Sequence, residues 1–209
     1  MEYLTWHKSL EGFQKLLKEG KVDPKTLIFI NSQVSRQLNQ GQQQELIRQF
    51  PDIRDNTVME IVETDDVSQH LSRLRDDSIE LFARAFALDD FGTGYNSEKN
   101  LVELKPRYVK LDIALVRDAD LHVDRQLLLT GLITFAHEQK MLVLAEGIET
   151  LEELRCMLEL AVDLLQGFLL ARPTPVPGPI DPEALALIQS FAADTAVQAQ
   201  PVSATYTFV

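Results

Sequence analysis

The sequence predicts an α/β fold in which a parallel sheet is flanked by helices. Three observations carry this. Short β-prone runs alternate with segments of helical periodicity, the pattern expected where each strand is followed by a crossover helix. Each run finishes in a polar or charged residue that a core would not select. The spacing also repeats: Asn31 to Glu60 and Glu60 to Asp89 are both 29 residues, close to the roughly 30 residues of one βα unit.

The runs, in order, are "LIFIN" ending at Asn31, "TVMEIVE" around Glu60, "FALDD" ending in Asp89 and Asp90, "YVKLDI" with Lys110 and Asp112, "LVLAEGIE" with Glu146 and Glu149, and "LLQGFLLA" with Gln166. The opening "MEYLTWHKSLEGFQKLLKEGKVDP" reads as helix and turn. A capping box marks a helix start at Thr150, with Glu153 three residues on and "LRCMLEL" following. Asp181 followed by Pro182 marks another. From Ala193 the segment "ADTAVQAQPVSATYTFV" has almost no charge and no clear period, so the expected division is a domain over 1–192 and a tail over 193–209.

Composition narrows the function. The 209 residues are 45% hydrophobic, enough for one sizeable core or at most two small ones. With 32 acidic against 20 basic residues the formal net charge is -12, so most of the surface would repel a nucleic-acid polymer. A phosphate-bearing ligand would need a local cation. The single cysteine, Cys156, allows no internal disulfide, and no signal-peptide pattern opens the chain, which fits a cytoplasmic location. No apolar run reaches the roughly 18 residues needed for a membrane span.

The chemistry lies at the strand ends. In a closed parallel barrel all carboxyl ends open on one face, where such folds build their sites. Lys110 and Asp112 must share a face along their strand, and both can point inward. Asp89 and Asp90 cannot share one, so the chain must already be turning there, and Gly92 and Gly94 supply the freedom to turn. Carboxylates with an amide oxygen and no histidine or cysteine form an oxygen-only donor set, suited to Mg²⁺ or Mn²⁺. A two-metal site of this kind would admit an anionic phosphodiester into an acidic protein and activate water, with Lys110 the fixed cation nearby.

Together "DDFGTGY", "YVKLD", "VLAEGIET" and "LLQGFLLARP" resemble the successive motifs of the EAL family of cyclic di-GMP phosphodiesterases. "FIN" at Phe29 to Asn31 and "EIVE" at Glu60 to Glu63 resemble its asparagine strand and its paired glutamates. The likeness runs from about Leu27 to Pro173. It implies a TIM-type (β/α) barrel that hydrolyses cyclic di-GMP to linear pGpG with Mg²⁺ or Mn²⁺. By motif position, Asn31, Glu60 and Asp89 would hold one metal, with Asp89 and Asp90 serving the second. Lys110 would orient or activate the water, Glu146 and Gln166 would complete the polar shell, and Glu63 would tether the loop from Phe91 to Tyr95. Asp112 and Glu149 would support the site or its substrate. The resemblance further implies a homodimer, and sensory or cyclase domains in a longer parent protein.

One part of the pattern is missing. The glutamate strand from which the family takes its name should precede the asparagine, and nothing before Asn31 matches it. Glu183-Ala184-Leu185 does spell the triplet, but it follows Asp181 and Pro182 in the first turn of a terminal helix, where it is coincidental. A TIM barrel typically needs about 250 residues, so the barrel is expected to be incomplete at its N-terminus. Two functions follow: a phosphodiesterase, or an inactive EAL-type module that binds cyclic di-GMP or a protein partner.

Plainer roles exist for each residue. Asp89 and Asp90 before a glycine could form a turn, and Asn31 and Gln166 could cap backbone groups. The glutamates could be solvated charges at strand ends. His7, His70, His122 and His137 have no metal-ligand spacing, and Cys156, among Leu154, Met157 and Leu158, reads as a buried thiol.

Overall fold

A computed structural model of the chain describes residues 2–32, 38–62, 82–83, 85–92 and 97–195. The helices are α1 (Glu2–Lys18), α2 (Gln40–Gln49), α3 (Ser97–Leu104), α4 (Ile113–Val116), α5 (Val123–Glu138), α6 (Leu151–Glu159) and α7 (Pro182–Thr195). The strands are β1 (Ile28–Ser32), β2 (Thr57–Val62), β3 (Ala85–Phe91), β4 (Tyr108–Leu111), β5 (Leu142–Ala145) and β6 (Leu164–Leu165). Strand order in the sheet follows chain order, β1 to β6. That sequential parallel order, with helices in the described crossovers, is the (β/α) barrel type of architecture expected from the sequence.

The chain forms two compact units. The first holds β1, β2, α3 and β3 up to Asp90; the second holds Phe91 and Gly92 and the described residues from Tyr108 onward.

In the first unit, β1 pairs parallel with β2 and β2 with β3, in the register Ile28↔Thr57, Asn31↔Glu60, Glu60↔Ala87 and Val62↔Asp89. Alternation then sorts the side chains. Ile28, Ile30, Met59 and Ile61 lie on one face, in a buried cluster with Trp6, Leu10 and Phe13 of α1 and with Leu46, Phe50 and Ile53. The opening helix is therefore part of the core. It is fixed at its start by Ser32, whose hydroxyl donates to Glu2 Oε1 at 2.8 Å. Helix α2 begins with a capping box in which Asn39 and Gln42 bond each other's backbone N–H.

In the second unit, β4 pairs parallel with β5 and β5 with β6, matching Lys110↔Leu144 and Leu144↔Leu164. All four residues of β4 are buried, as in a strand covered on both faces. Helices α5 and α6 end alike. Met141 N–H bonds Ala136 O and Lys140 N–H bonds His137 O; Val162 N–H bonds Met157 O and Ala161 N–H bonds Leu158 O. These are Schellman closures, with Lys140 (φ 62°) and Ala161 (φ 61°) in the left-handed position just ahead of the next strand.

The capping box at Thr150 and Glu153 forms as read from sequence. Asp181 caps α7, its Oδ1 accepting from the N–H groups of Glu183 and Ala184. Glu183 is exposed on that first turn. Helix α7 runs to Thr195, slightly beyond the expected start of the tail. Two strands are shorter than expected. β4 stops at Leu111 because Asp112 becomes the N-cap of α4, its Oδ1 accepting from Ala114 N–H at 2.7 Å. β6 has only two residues, because Gly167 passes so close to Ile148 that a Cβ there would lie 2.1 Å from its carbonyl oxygen.

Candidate active site at the strand ends

The first unit supplies an amide and carboxylates on the face opposite its helix-packed core. Asn31 and Glu60 are register partners, and Glu60 is matched to Ala87, two residues before Asp89. All three polar residues therefore sit on one face of the sheet. Glu60 (4% exposed) and Asp89 (8%) are buried, whereas Asn31 is exposed at the end of β1. Asp90 breaks the alternation. Its φ of 56° is left-handed, a conformation that aspartate tolerates better than most residues. The turn expected at the paired aspartates thus falls on Asp90 itself, followed by Gly92 at φ 110°. Gly94 and Glu63 lie outside the described residues.

The second unit supplies the cation. Lys110 Nζ lies 2.7 Å from Glu146 Oε1, with side chains 5% and 17% exposed. The strand ends here are tied in sequence: Asp112 N–H bonds Phe91 O, Glu146 N–H bonds Leu111 O, and Gln166 N–H bonds Ala145 O. Phe91, Leu111, Asp112, Ala145, Glu146 and Gln166 are therefore linked by successive backbone bonds. Gln166 Oε1 is buried with no hydrogen-bond partner among the described residues, so an acceptor stands ready there for a ligand, a metal or a water.

Two predicted site residues sit elsewhere. Asp112 is half-buried and its Oδ1 caps α4, so it does not continue the alternation of Lys110. Glu149 pairs with Arg117, Nη1 to Oε2 at 2.8 Å. That bond holds the Glu149 carboxyl below its ordinary range and raises the Arg117 guanidinium further. Sequence reasoning missed Arg117 altogether, and it read Glu153 only as a helix cap. Glu153 is 2% exposed, and its carboxylate accepts from the N–H groups of Asp118, Glu149 and Thr150. The capping box was the visible signal; its reach across 35 residues to Asp118 was not.

In the first unit Asp89 and Asp90 offer adjacent carboxylates at the end of β3, and in the second Glu146 offers another just after β5. The donor chemistry fits a hard divalent cation: carboxylates and amide oxygens, with no sulfur or imidazole.

A sheet of parallel strands in sequential order, with acidic groups and a buried lysine at the carboxyl ends, defines an α/β domain of the barrel type. The chain belongs to the EAL domain family, which it matches over residues 3–173. The match begins within α1, earlier than the motifs alone suggested. A curated relative, the probable cyclic di-GMP phosphodiesterase PdeN of Escherichia coli, is 30% identical over 138 residues, 64% of this chain and 26% of PdeN. The chain thus spans about a quarter of that relative's length. Among solved structures, the calcium and cyclic di-GMP complex of BlrP1 from Klebsiella pneumoniae superposes with a TM-score of 0.69 at 26% identity, covering 84% of this chain and 44% of that one. BlrP1 has also been solved with manganese and cyclic di-GMP. A standalone EAL protein from Vibrio cholerae shares the fold, with a TM-score of 0.71 at 22% identity over 88% of this chain and 78% of that one. No described helix is long and apolar enough to cross a membrane.

Proposed function

We propose that this chain carries the catalytic machinery of a cyclic di-GMP phosphodiesterase, which opens one phosphodiester of the cyclic dinucleotide to give linear pGpG. The observation that carries the reading is the buried Lys110–Glu146 pair at the carboxyl ends of β4 and β5. A buried ion pair is a poor way to gain stability, because desolvation offsets most of its attraction. Its presence at this end of a barrel-type sheet therefore favours a chemical role.

In this reading water attacks phosphorus, the P–O3′ bond breaks, and the 3′ oxygen leaves as a hydroxyl after taking up a proton. Asn31, Glu60, Asp89 and Asp90 would hold Mg²⁺ or Mn²⁺, which when bound supplies the charge that neutralises the phosphodiester and acidifies water. Lys110 holds a positive charge beside the attacking oxygen, and Glu146 fixes its direction. Gln166 offers its amide to the same polar shell. Glu63, as a tether of the loop after β3, remains part of this proposal.

An alternative is a module that binds cyclic di-GMP or a protein partner without hydrolysis. The exposure of Asn31 favours it, since a first metal ligand open to solvent would align its ion less well. Conversion of cyclic di-GMP to pGpG with Mn²⁺ or Mg²⁺ separates the two. Turnover abolished by Asp89→Ala supports the enzyme; binding without turnover supports the module.

Helix α5 and the turn before it leave Leu121, Val123, Leu127 and Leu128 more than half exposed, the last at 53%. Apolar side chains grouped in this way suit a contact with a second copy of the chain, consistent with the homodimer that the family resemblance implies.

A further inference from the structure

The segment after β4 and the turn after β5 meet at three points, all within the second unit. Ile113 packs on Gly147: a Cβ on that glycine would lie 2.4 Å from Ile113 Cγ1 and 2.5 Å from its Cδ1, and Gly147 adopts a φ of 69°. Arg117 reaches Glu149 at 2.8 Å and Glu153 at 3.8 Å. Asp118, left-handed at φ 54°, donates its N–H to Glu153 Oε1 at 3.2 Å. The same Glu153 carboxylate accepts from Glu149 and Thr150. The Arg117 carbonyl is in turn held by Arg125 of α5.

Burial does not explain these choices. Ile113 is 40% exposed, and the Arg117 and Glu149 side chains are 34% and 41% exposed. An ion pair that open contributes little to stability. What the contacts share is position. The first segment starts two residues after Lys110, and the second begins one residue after Glu146.

We infer that Arg117 is a positioning residue: through Glu149 it clamps the β5 turn to the β4 segment and so holds Glu146 against Lys110. Glu153 is the fixed post to which both sides are tied, and Ile113 sets the spacing. The clamp acts on the angle and distance of the Lys110–Glu146 pair, and neither Arg117 nor Ile113 needs to touch the substrate. The inference rests on the reading of Lys110 and Glu146 as groups that act on the reaction.

The test uses the full chain with Arg117→Ala, Arg117→Lys, Glu149→Gln and the double variant. Arg48→Ala, which removes an exposed ion pair with Glu45, serves as the control. Three readouts are taken: Tm, amide exchange at residues 147–150, and kcat and KM for cyclic di-GMP with Mn²⁺. Arg117→Ala is expected to leave Tm nearly unchanged, speed exchange in that turn, and lower kcat about tenfold with KM within about twofold, the scale of a small misplacement of reacting groups. Arg117→Lys should recover part of kcat, and the double variant should be no worse than either single one, because both break the same contact. Unchanged exchange, or additive losses in the double variant, would overturn the clamp; so would faster exchange with unaltered kcat, which would leave a loop staple only. If the unsubstituted chain releases no pGpG, the functional reading fails, and the clamp is then decided by whether exchange at 147–150 quickens in Arg117→Ala and not in Arg48→Ala.

Discussion

Lys110 carries its charge into a place where only 5% of its side chain meets solvent, and Glu146 lies 2.7 Å away. Removing one partner of such a pair leaves the other charge buried and uncompensated. Lys110→Ala should therefore destabilise the chain by roughly 3 kcal/mol, measured by urea unfolding, as well as abolish turnover. Glu149 behaves differently because it is exposed. Its carboxyl is held below its ordinary value of 4.5 by the hydrogen bond from Arg117, so the bond is intact above that value and is lost as pH falls through the lowered one. In Arg117→Ala the Glu149 carboxyl should titrate nearer 4.5, which carbon-detected NMR will read. Cys156 is 6% exposed, and burial pushes its thiol up, so the native chain should react slowly with thiol reagents. At this scale the sequence was informative wherever a residue's role depends on strand position. Asn31, Glu60, Asp89, Lys110 and Glu146 stood out because each is a polar residue finishing a β-prone run. Arg117 could not, because nothing local distinguishes it from other surface arginines; only the fold brings it to Glu149.

The elements show where local signals suffice and where packing overrides them. Thr150 and Glu153 announce a helix start chemically, and Asp181 with Pro182 does the same, so both boundaries were legible. The ends of α5 and α6 were less so, because the left-handed positions are filled by Lys140 and Ala161 where glycine is usual. That departure has a measurable consequence: Ala161→Gly should stabilise the chain by about 1 kcal/mol by relieving the Cβ clash of the left-handed conformation. The short β6 was not predictable from "LLQGFLLA", whose composition favours a longer strand. The approach of Ile148 to Gly167 ends it, and Gly167→Ala should cost about 1–3 kcal/mol or more through overpacking against backbone. Likewise "YVKLDI" reads as continuous, yet Asp112 finds a better use for its carboxylate at the start of α4 than at the end of a strand.

For the molecule as a whole, charge and metal are linked. A chain of net charge -12 that sets Asp89 and Asp90 side by side at the end of β3 is expected to gain stability from a divalent ion. Saturating Mn²⁺ at about 100 times its Kd would add about 2.7 kcal/mol, seen as a rise in Tm that Asp89→Ala removes. The helix-flanked parallel sheet was legible from the 29-residue spacing and the six polar-ended runs, and the barrel type from the resemblance to the EAL family. The contribution of α1 was not, because its amphipathic pattern says only that it packs, not against what. One further consequence concerns Glu153. A residue that begins a helix also anchors the backbone of two separate loops, so the helix start and the shape of the site share one carboxylate. No substitution at Glu153 can therefore change the helix start without also releasing the backbone at Asp118, although the residue lies outside the chemistry.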